Sequence, residues 1–294
     1  MMIYLLLHIL SSSAFGLTFK WAQSRQRDIV SVGVINYVVA AFLSACCAIG
    51  QGQGLLSSAA LMVAIFGGFA YIFSYLGLIP AVRDAGVALS MAVVRLGIAL
   101  VPAVVSMILW GEHLTRIQTI GLLLTGAALP MMNLGGRMPH RPKARASVSV
   151  LAWLFLSSGA GGLAARAFQE WGQPPERFAY LSILFGTAAL VNGLFLLRVV
   201  ERRRTDSGTT SVSPSLRDVP YGVVLGAVNL VGNWFLLAAL KTVPASVVFP
   251  VASSGSVLLT ALFALIVWGE RRSRVGNIGM ALAVLALLLV NWRT

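Results

Sequence analysis

The chain has 294 residues, of which 58% are hydrophobic and only 11% charged, and its mean hydropathy is +0.86. A soluble domain carries about 25% charged residues, so this composition cannot cover a water-exposed surface and excludes an ordinary soluble protein. The net charge of +13 does not indicate a nucleic-acid partner, because the cations gather in short gaps between apolar runs, where Lys and Arg set membrane topology.

A transmembrane helix needs about 20 mostly apolar residues. Ten such runs follow one another: 2–21, 31–50, 56–78, 87–109, 117–134, 150–170, 178–198, 218–240, 245–267 and 274–292. The first lacks the basic leader and small-residue cleavage site of a signal peptide, and it reads as a retained helix. Cys46 and Cys47, adjacent in the second run, are too close for a disulfide framework or a metal cage; they read as small buried hydrophobes. Two connections are longer and polar. One, basic, covers 135–149; the other, rich in Ser, Thr and Asp, covers 199–217 and reads as a flexible loop.

The runs before and after the first long loop repeat each other. Ser11, Ser12, Ala14, Gly16, Leu17 and Gln23 recur as Ser157, Ser158, Ala160, Gly162, Leu163 and Gln169, an offset of 146 residues. Trp110-Gly111-Glu112 recurs as Trp268-Gly269-Glu270, Gly121 as Gly279, and Asn133 as Asn291, an offset of 158. Five crossings leave the chain on the opposite face, so the second unit is upside down relative to the first. Inverted repeats around a site near the membrane midplane are a recurring design of secondary transporters. The expected fold is an all-α integral membrane protein with ten transmembrane helices in two inverted five-helix repeats, 1–134 and 150–294, joined by the basic loop.

The stretch LWGEHLTRIQTIG at 109–121 and its echo VWGERRSRVGNIG at 267–279 carry a family likeness. A hydrophobic helix ending in Gly-Glu, a polar corner, then a helix with an early Gly resembles the drug/metabolite transporter superfamily in its ten-helix form with two EamA-type repeats. Pro244-Ala245 opening the ninth run, with Pro250 following, is also similar. The resemblance spans nearly the whole chain. It implies export or uptake of small metabolites, amino acids among them, and does not fix the substrate.

Ionisable groups inside a span are costly and default to function. Arg95 lies near the middle of the fourth run, with no carboxylate in the central part of any span to pair with it. Its forked guanidinium suits a carboxylate or phosphate; the alternative is a structural Arg bridging helices. Lys20 and Arg166, matched by the repeat, lie toward opposite faces and would draw an anionic or zwitterionic substrate to each mouth. They read equally as snorkelling cations, Arg166 with Glu170 at i+4 as a partner. The 158-residue offset matches Tyr71 with Asn229, Tyr75 with Asn233 and Arg95 with Ser253. Phenols and amides do not cheaply face lipid, so these groups line a cavity or join helices. Trp234 stacks on an apolar substrate or anchors an interface. Pro250 removes a helical hydrogen bond; the freed carbonyl and the Ser253, Ser254 and Ser256 hydroxyls are tolerated against protein or a watery cavity. Gly222, Gly226 and the Gly159–Gly162 cluster read as close-packing positions. Glu112 and Glu270 read as caps or ion-pair partners.

His8, His113 and His140 are scattered, without carboxylates at ligand spacing. No metal site, cofactor or enzymatic cluster follows, and no Walker-type loop is present. The partners expected are a small molecule and the lipid bilayer, in a multi-pass cell-membrane protein; a homodimer stays open. The reading is a secondary transporter working by alternating access, with a non-transporting scaffold or sensor, or a membrane enzyme, as competitors. The even loops and termini hold Arg116, Arg177, Lys241 and Arg293, whereas sixteen of the 22 cations fall in odd loops. That bias puts odd loops in the cytoplasm and both termini outside, while the family resemblance implies the reverse.

Overall fold

Each apolar run becomes a helix because only a helix satisfies its own backbone in lipid. The computed structural model describes residues 2–54, 56–85, 87–134, 148–205, 215–268 and 273–292. Its helices are α1 (Met2–Ser24), α2 (Ile29–Gly50), α3 (Ser58–Ala85), α4 (Val87–Leu109), α5 (Arg116–Leu134), α6 (Val148–Trp171), α7 (Arg177–Thr205), α8 (Val219–Leu240), α9 (Ala245–Trp268) and α10 (Arg274–Val290). No strand occurs among the described residues. Side-chain caps fix several starts: Asp28 accepts from the Val30 N–H at 3.2 Å and Ser273 from that of Gly276 at 3.2 Å. Among the described residues, eight helices are long and apolar enough to cross a membrane. Of the other two, α10 is apolar but only 17 residues long, and α5 carries Arg, Gln and Thr in its first turn; these two lie along each other.

Two helices outrun their expected ends. α3 continues past 78 through Pro80 to Ala85 and α7 past 198 to Thr205, because Ala, Glu and Arg are strong helix formers that carry the helix beyond the bilayer. Cys46 is exposed and Cys47 partly so, and neither forms a disulfide. This corrects their reading as buried: the surroundings of a membrane helix are themselves apolar, so a small hydrophobe has no drive inward. The loop segments 135–147 and 206–214 and the second Gly-Glu, Gly269-Glu270, lie outside the described residues.

Glycine contacts show how the two halves meet. A Cβ on Gly97 of α4 would strike Phe155 of α6, and one on Gly255 of α9 would strike Ile9 of α1. These are the same contact with the halves exchanged, since 97 maps to 255 and 9 to 155. Two further pairs behave alike: Gly16 meets Thr260 where Gly162 meets Pro102, and Gly121 meets Val290 where Gly279 meets Met132. Gly68 presses on Leu184 and Thr187 of α7 as Gly226 presses on Asn36 and Val39 of α2, which fixes an offset of 148 for that helix pair. Because the start of α5 meets the end of α10 and the reverse, these two helices run antiparallel.

Candidate functional site

Tyr37 of α2 and Phe185 of α7 occupy equivalent places under the 148 offset, and their rings stack on each other, with centroids 6.4 Å apart and planes 23° apart. Two equivalent groups touch each other only beside the axis that exchanges the halves. Tyr71 of α3 stands edge-on to both rings, at 6.1 and 6.3 Å, over Gly161 of α6, where a Cβ would crowd its ring. From there a chain of hydrogen bonds crosses the bundle. The Tyr71 hydroxyl donates to Asn233 Oδ1 at 3.0 Å. Asn233 Nδ2 donates to Asn229 Oδ1 at 2.8 Å, and Asn229 Nδ2 to Asn36 Oδ1 at 3.2 Å. Three helices, α2, α3 and α8, therefore share one polar chain at the junction of the halves. Gly222 and Gly226 let α8 close on α2 beside it, against Ile35 and Val39.

Arg95 projects from α4 about 12 Å inside the helix start, at 1.5 Å per residue. It is partly buried and makes no hydrogen bond or ion pair with a described residue. Seven residues on, and on the same face, Pro102 packs at Gly162 of α6 beside Phe249 of α9, so the Arg95 face turns toward the other half. On α9, Ser253 and Ser254 are buried with hydroxyls that find no partner among the described residues. Pro250 lies inside the same helix. Ser256 donates to the Ser253 carbonyl at 3.1 Å, and Ser13 of α1 donates to the Ser256 carbonyl at 3.2 Å.

The end of the bundle that carries the even loops holds a charged cluster. Arg166 of α6 donates through Nε to Glu112 at 3.0 Å and through Nη1 to Glu170 at 2.9 Å, and its guanidinium lies 4.7 Å from the centre of the Trp110 ring. Glu112 also accepts from the backbone N–H groups of Ala245 and Ser246, at 3.1 and 2.8 Å. It thereby caps α9, whose N-terminal dipole favours a carboxylate. Burial pushes the Glu112 pKa up, but hydrogen bonds from the Ser246 and Ala245 backbone and from Arg166 outweigh it and hold the group below its ordinary value. Nearby, Glu176 accepts from the Ser57 N–H at 2.8 Å and Gln53 from the Ala179 N–H at 3.1 Å. One latch thus joins the α4–α5 corner, α6 and α9.

Residues 146–292 match the EamA-like transporter family. The chain belongs to that family. Among solved structures, one protein crystal structure superposes with a TM-score of 0.72 over 98% of this chain and 95% of the other, at 16% identity, a likeness of fold. No curated protein matches the sequence. The EamA-like family is one of transporters rather than enzymes, and membership identifies this chain as a multi-pass membrane protein of the drug/metabolite transporter type.

Within this EamA-like bundle the residues expected from sequence divide into groups. Tyr71, Asn229 and Asn233 come together in one chain of hydrogen bonds, while Arg95, Ser253 and Ser254 lie on α4 and α9. Arg166 is engaged by both carboxylates, and Glu112 is the cap and ion-pair partner expected of it. Lys20 lies partly buried toward the far end of α1, and Tyr75 one turn beyond Tyr71; both are engaged in contacts of their own. Trp234 turns away from the amide chain and packs with Phe178, Tyr4 and Phe235, with centroids 5.4 to 6.3 Å apart. Sequence reasoning passed over Asn36 and Tyr37. Their equivalents under the 148 offset are Leu184 and Phe185, so the repeat gave no polar echo; an amide inside a span was the available signal.

Proposed function

We propose that this protein is a secondary transporter of the cell membrane that carries a small anionic or zwitterionic metabolite by alternating access between two inverted five-helix units, 1–134 and 150–294. The observation that carries the reading is the exchange of contacts between halves, Gly97–Phe155 with Gly255–Ile9 and Gly121–Val290 with Gly279–Met132. A structure whose halves use interchangeable contacts has a second arrangement of similar energy, in which the halves trade conformations. The latch at Glu112 and Arg166 closes one end in the arrangement described here, and its release would open that end.

The substrate class follows from Arg95. A cation inside the membrane with no partner among the described residues awaits an anion or water, and a guanidinium holds a carboxylate or phosphate with two parallel bonds. The Tyr71–Asn233–Asn229–Asn36 chain supplies neutral donors and acceptors at the junction of the halves, fit for an amino or hydroxyl group on the same molecule. A thermal-shift screen against amino acids, nucleosides, sugars and their phosphates selects ligands, whose flux is then measured in proteoliposomes. Arg95→Ala should abolish that flux while the protein stays folded in the membrane. Near-normal flux would remove Arg95 from the site, and no flux of any stabilising compound would remove the transporter reading.

A further inference from the structure

Exchange of the halves also exposes where they differ, and His8 is one such place. The crossing of α1 and α8 brings His8 to Gly232. At the equivalent crossing of α6 and α3 the matching residues are Leu154 and Ser74, and Ser74 bonds Ser158 at 2.8 Å. Packing is therefore satisfied there without an imidazole. His8 lies about 9 Å from the start of α1, at the latched end, and is partly buried. Its Nδ1 lies 2.8 Å from the Gly232 carbonyl. A carbonyl only accepts, so Nδ1 carries the hydrogen, and in the neutral ring Nε2 is left as an acceptor. Nε2 faces the Ser12 hydroxyl at 3.4 Å. Of the neighbours, Ser11 bonds back to the Leu7 carbonyl at 2.9 Å, and the Ser13 hydroxyl is shared between the Ile9 and Ser256 carbonyls at 2.8 and 3.2 Å.

We propose that His8 is a proton-binding site that couples protonation to opening of the latched end, a proposal that rests on the transporter reading above. The site suits both forms of the ring. In the neutral form Ser12 donates to Nε2. When a proton from water adds to Nε2, the N–H donates to the Ser12 oxygen, whose own hydrogen rotates to another acceptor, while Nδ1–H keeps Gly232. A hydroxyl can make that change of role and a methyl cannot. Imidazole is the side chain that gains charge near neutral pH, and charging it between helices favours the arrangement in which water reaches it. The charged and titratable groups around it are few. Tyr4 shares α1 and Lys241 follows the end of α8, while Lys20 of α1 and Tyr221 of α8 lie at the opposite end of the bundle; α9 carries none in Ala245–Trp268. At the start of α7, Arg177 lies within electrostatic reach of Tyr4.

The test needs no substrate. On a Cys46→Ala, Cys47→Ala, His113→Gln background, Ala252→Cys in the buried part of α9 is labelled with a membrane-impermeant maleimide from the even-loop side. Its rate in proteoliposomes is followed from pH 8 to pH 5.5 and normalised to the exposed Gln173→Cys at each pH. Labelling of the Ala252→Cys thiol should rise by at least about fivefold on acidification, the lower range of a coupling between sites, and His8→Gln should flatten the response. Ser12→Ala should shift its midpoint. Nitrogen-15 NMR of histidine-labelled protein should show His8 as the Nδ1–H tautomer at pH 8. A response that survives in His8→Gln, a flat response in the parent, or an Nε2–H tautomer overturns the proposal. Labelling that rises in Glu112→Gln but never with pH sinks the His8 site alone; labelling that responds to neither sinks alternating access as well.

Discussion

Replacing Glu112 by Gln keeps the size of the side chain and one acceptor oxygen but removes its charge and aims an amide N–H₂ at donors. Three bonds are affected, one from Arg166 and two from the start of α9. Charge-assisted hydrogen bonds contribute about 1.5–3 kcal/mol each, and removing one partner of a buried pair costs about 3–5 kcal/mol. The pair is mostly buried, with side-chain exposures of 14% and 10%. Arg166 retains Glu170 and Trp110, and the Gln retains one acceptor, so the net loss to the latched state is near the low end, about 2 kcal/mol. That is roughly a thirtyfold gain for the open arrangement, at 1.4 kcal/mol per factor of ten. When opening is fast and rare, labelling of a buried thiol tracks the open population, so the thiol introduced by Ala252→Cys should react about thirtyfold faster when Glu112→Gln is added. Arg166→Lys should give a smaller rise, since an ammonium has no fork to hold two carboxylates. The sign with pH follows from the depressed Glu112 pKa. The stabilisation is fully present above the ordinary value of 4.5 and is lost as pH falls through the depressed one, so titration of Glu112 itself adds no pH dependence between pH 5.5 and pH 8. An unchanged labelling rate in Glu112→Gln protein that elutes as a folded species would show that this cluster is a static joint.

Gly121→Ala and Gly279→Ala should each destabilise the protein by about 1–3 kcal/mol, the usual cost of overpacking, and by similar amounts, because their new methyls meet equivalent backbone of α10 and α5. Gly186→Ala, with open space around it, should leave the detergent melting temperature unchanged or slightly higher; unequal losses for the first two variants would argue against interchangeable halves. For orientation, the cation bias predicts that in intact cells an impermeant maleimide labels a cysteine at Gln173 but not at Arg141. Labelling at Arg141 instead would put the odd loops outside, and the latched end would then face the cytoplasm.

The helices were legible because a membrane span is a one-dimensional signal: expected and observed ends agree within three residues at most of them. The exceptions, α3 and α7, run on as helix after their hydropathy has fallen, and hydropathy does not report helix outside lipid. The site was legible only where the repeat left a polar echo. Tyr71 and Tyr75 against Asn229 and Asn233 drew attention because both members of each pair were polar. Asn36 has Leu184 as its equivalent and His8 has Leu154, so likeness between the halves marked neither. Trp234 drew attention by its size next to Asn233, yet consecutive helix residues point about 100° apart, which carries it into the Tyr4–Phe178 cluster instead.

Likeness and difference between the halves therefore answer separate questions. Small residues that recur, Gly97 with Gly255 and Gly121 with Gly279, mark where backbones must approach in either arrangement, and a Cβ there meets main chain or a packed side chain that has little room to yield. On the transporter reading, polar residues that do not recur are where a symmetric scaffold would recognise an asymmetric molecule. On the function proposed above, Arg95 against Ser253 gives one half a fixed charge and the other neutral hydroxyls, and a ligand lying across the junction would be held by its anionic end on α4 and by its remainder on α8 and α9. A substrate with the same group at both ends gains nothing from that arrangement. Flux should accordingly be fastest for compounds carrying a single carboxylate or phosphate at one end, and slower for symmetric diacids of the same length.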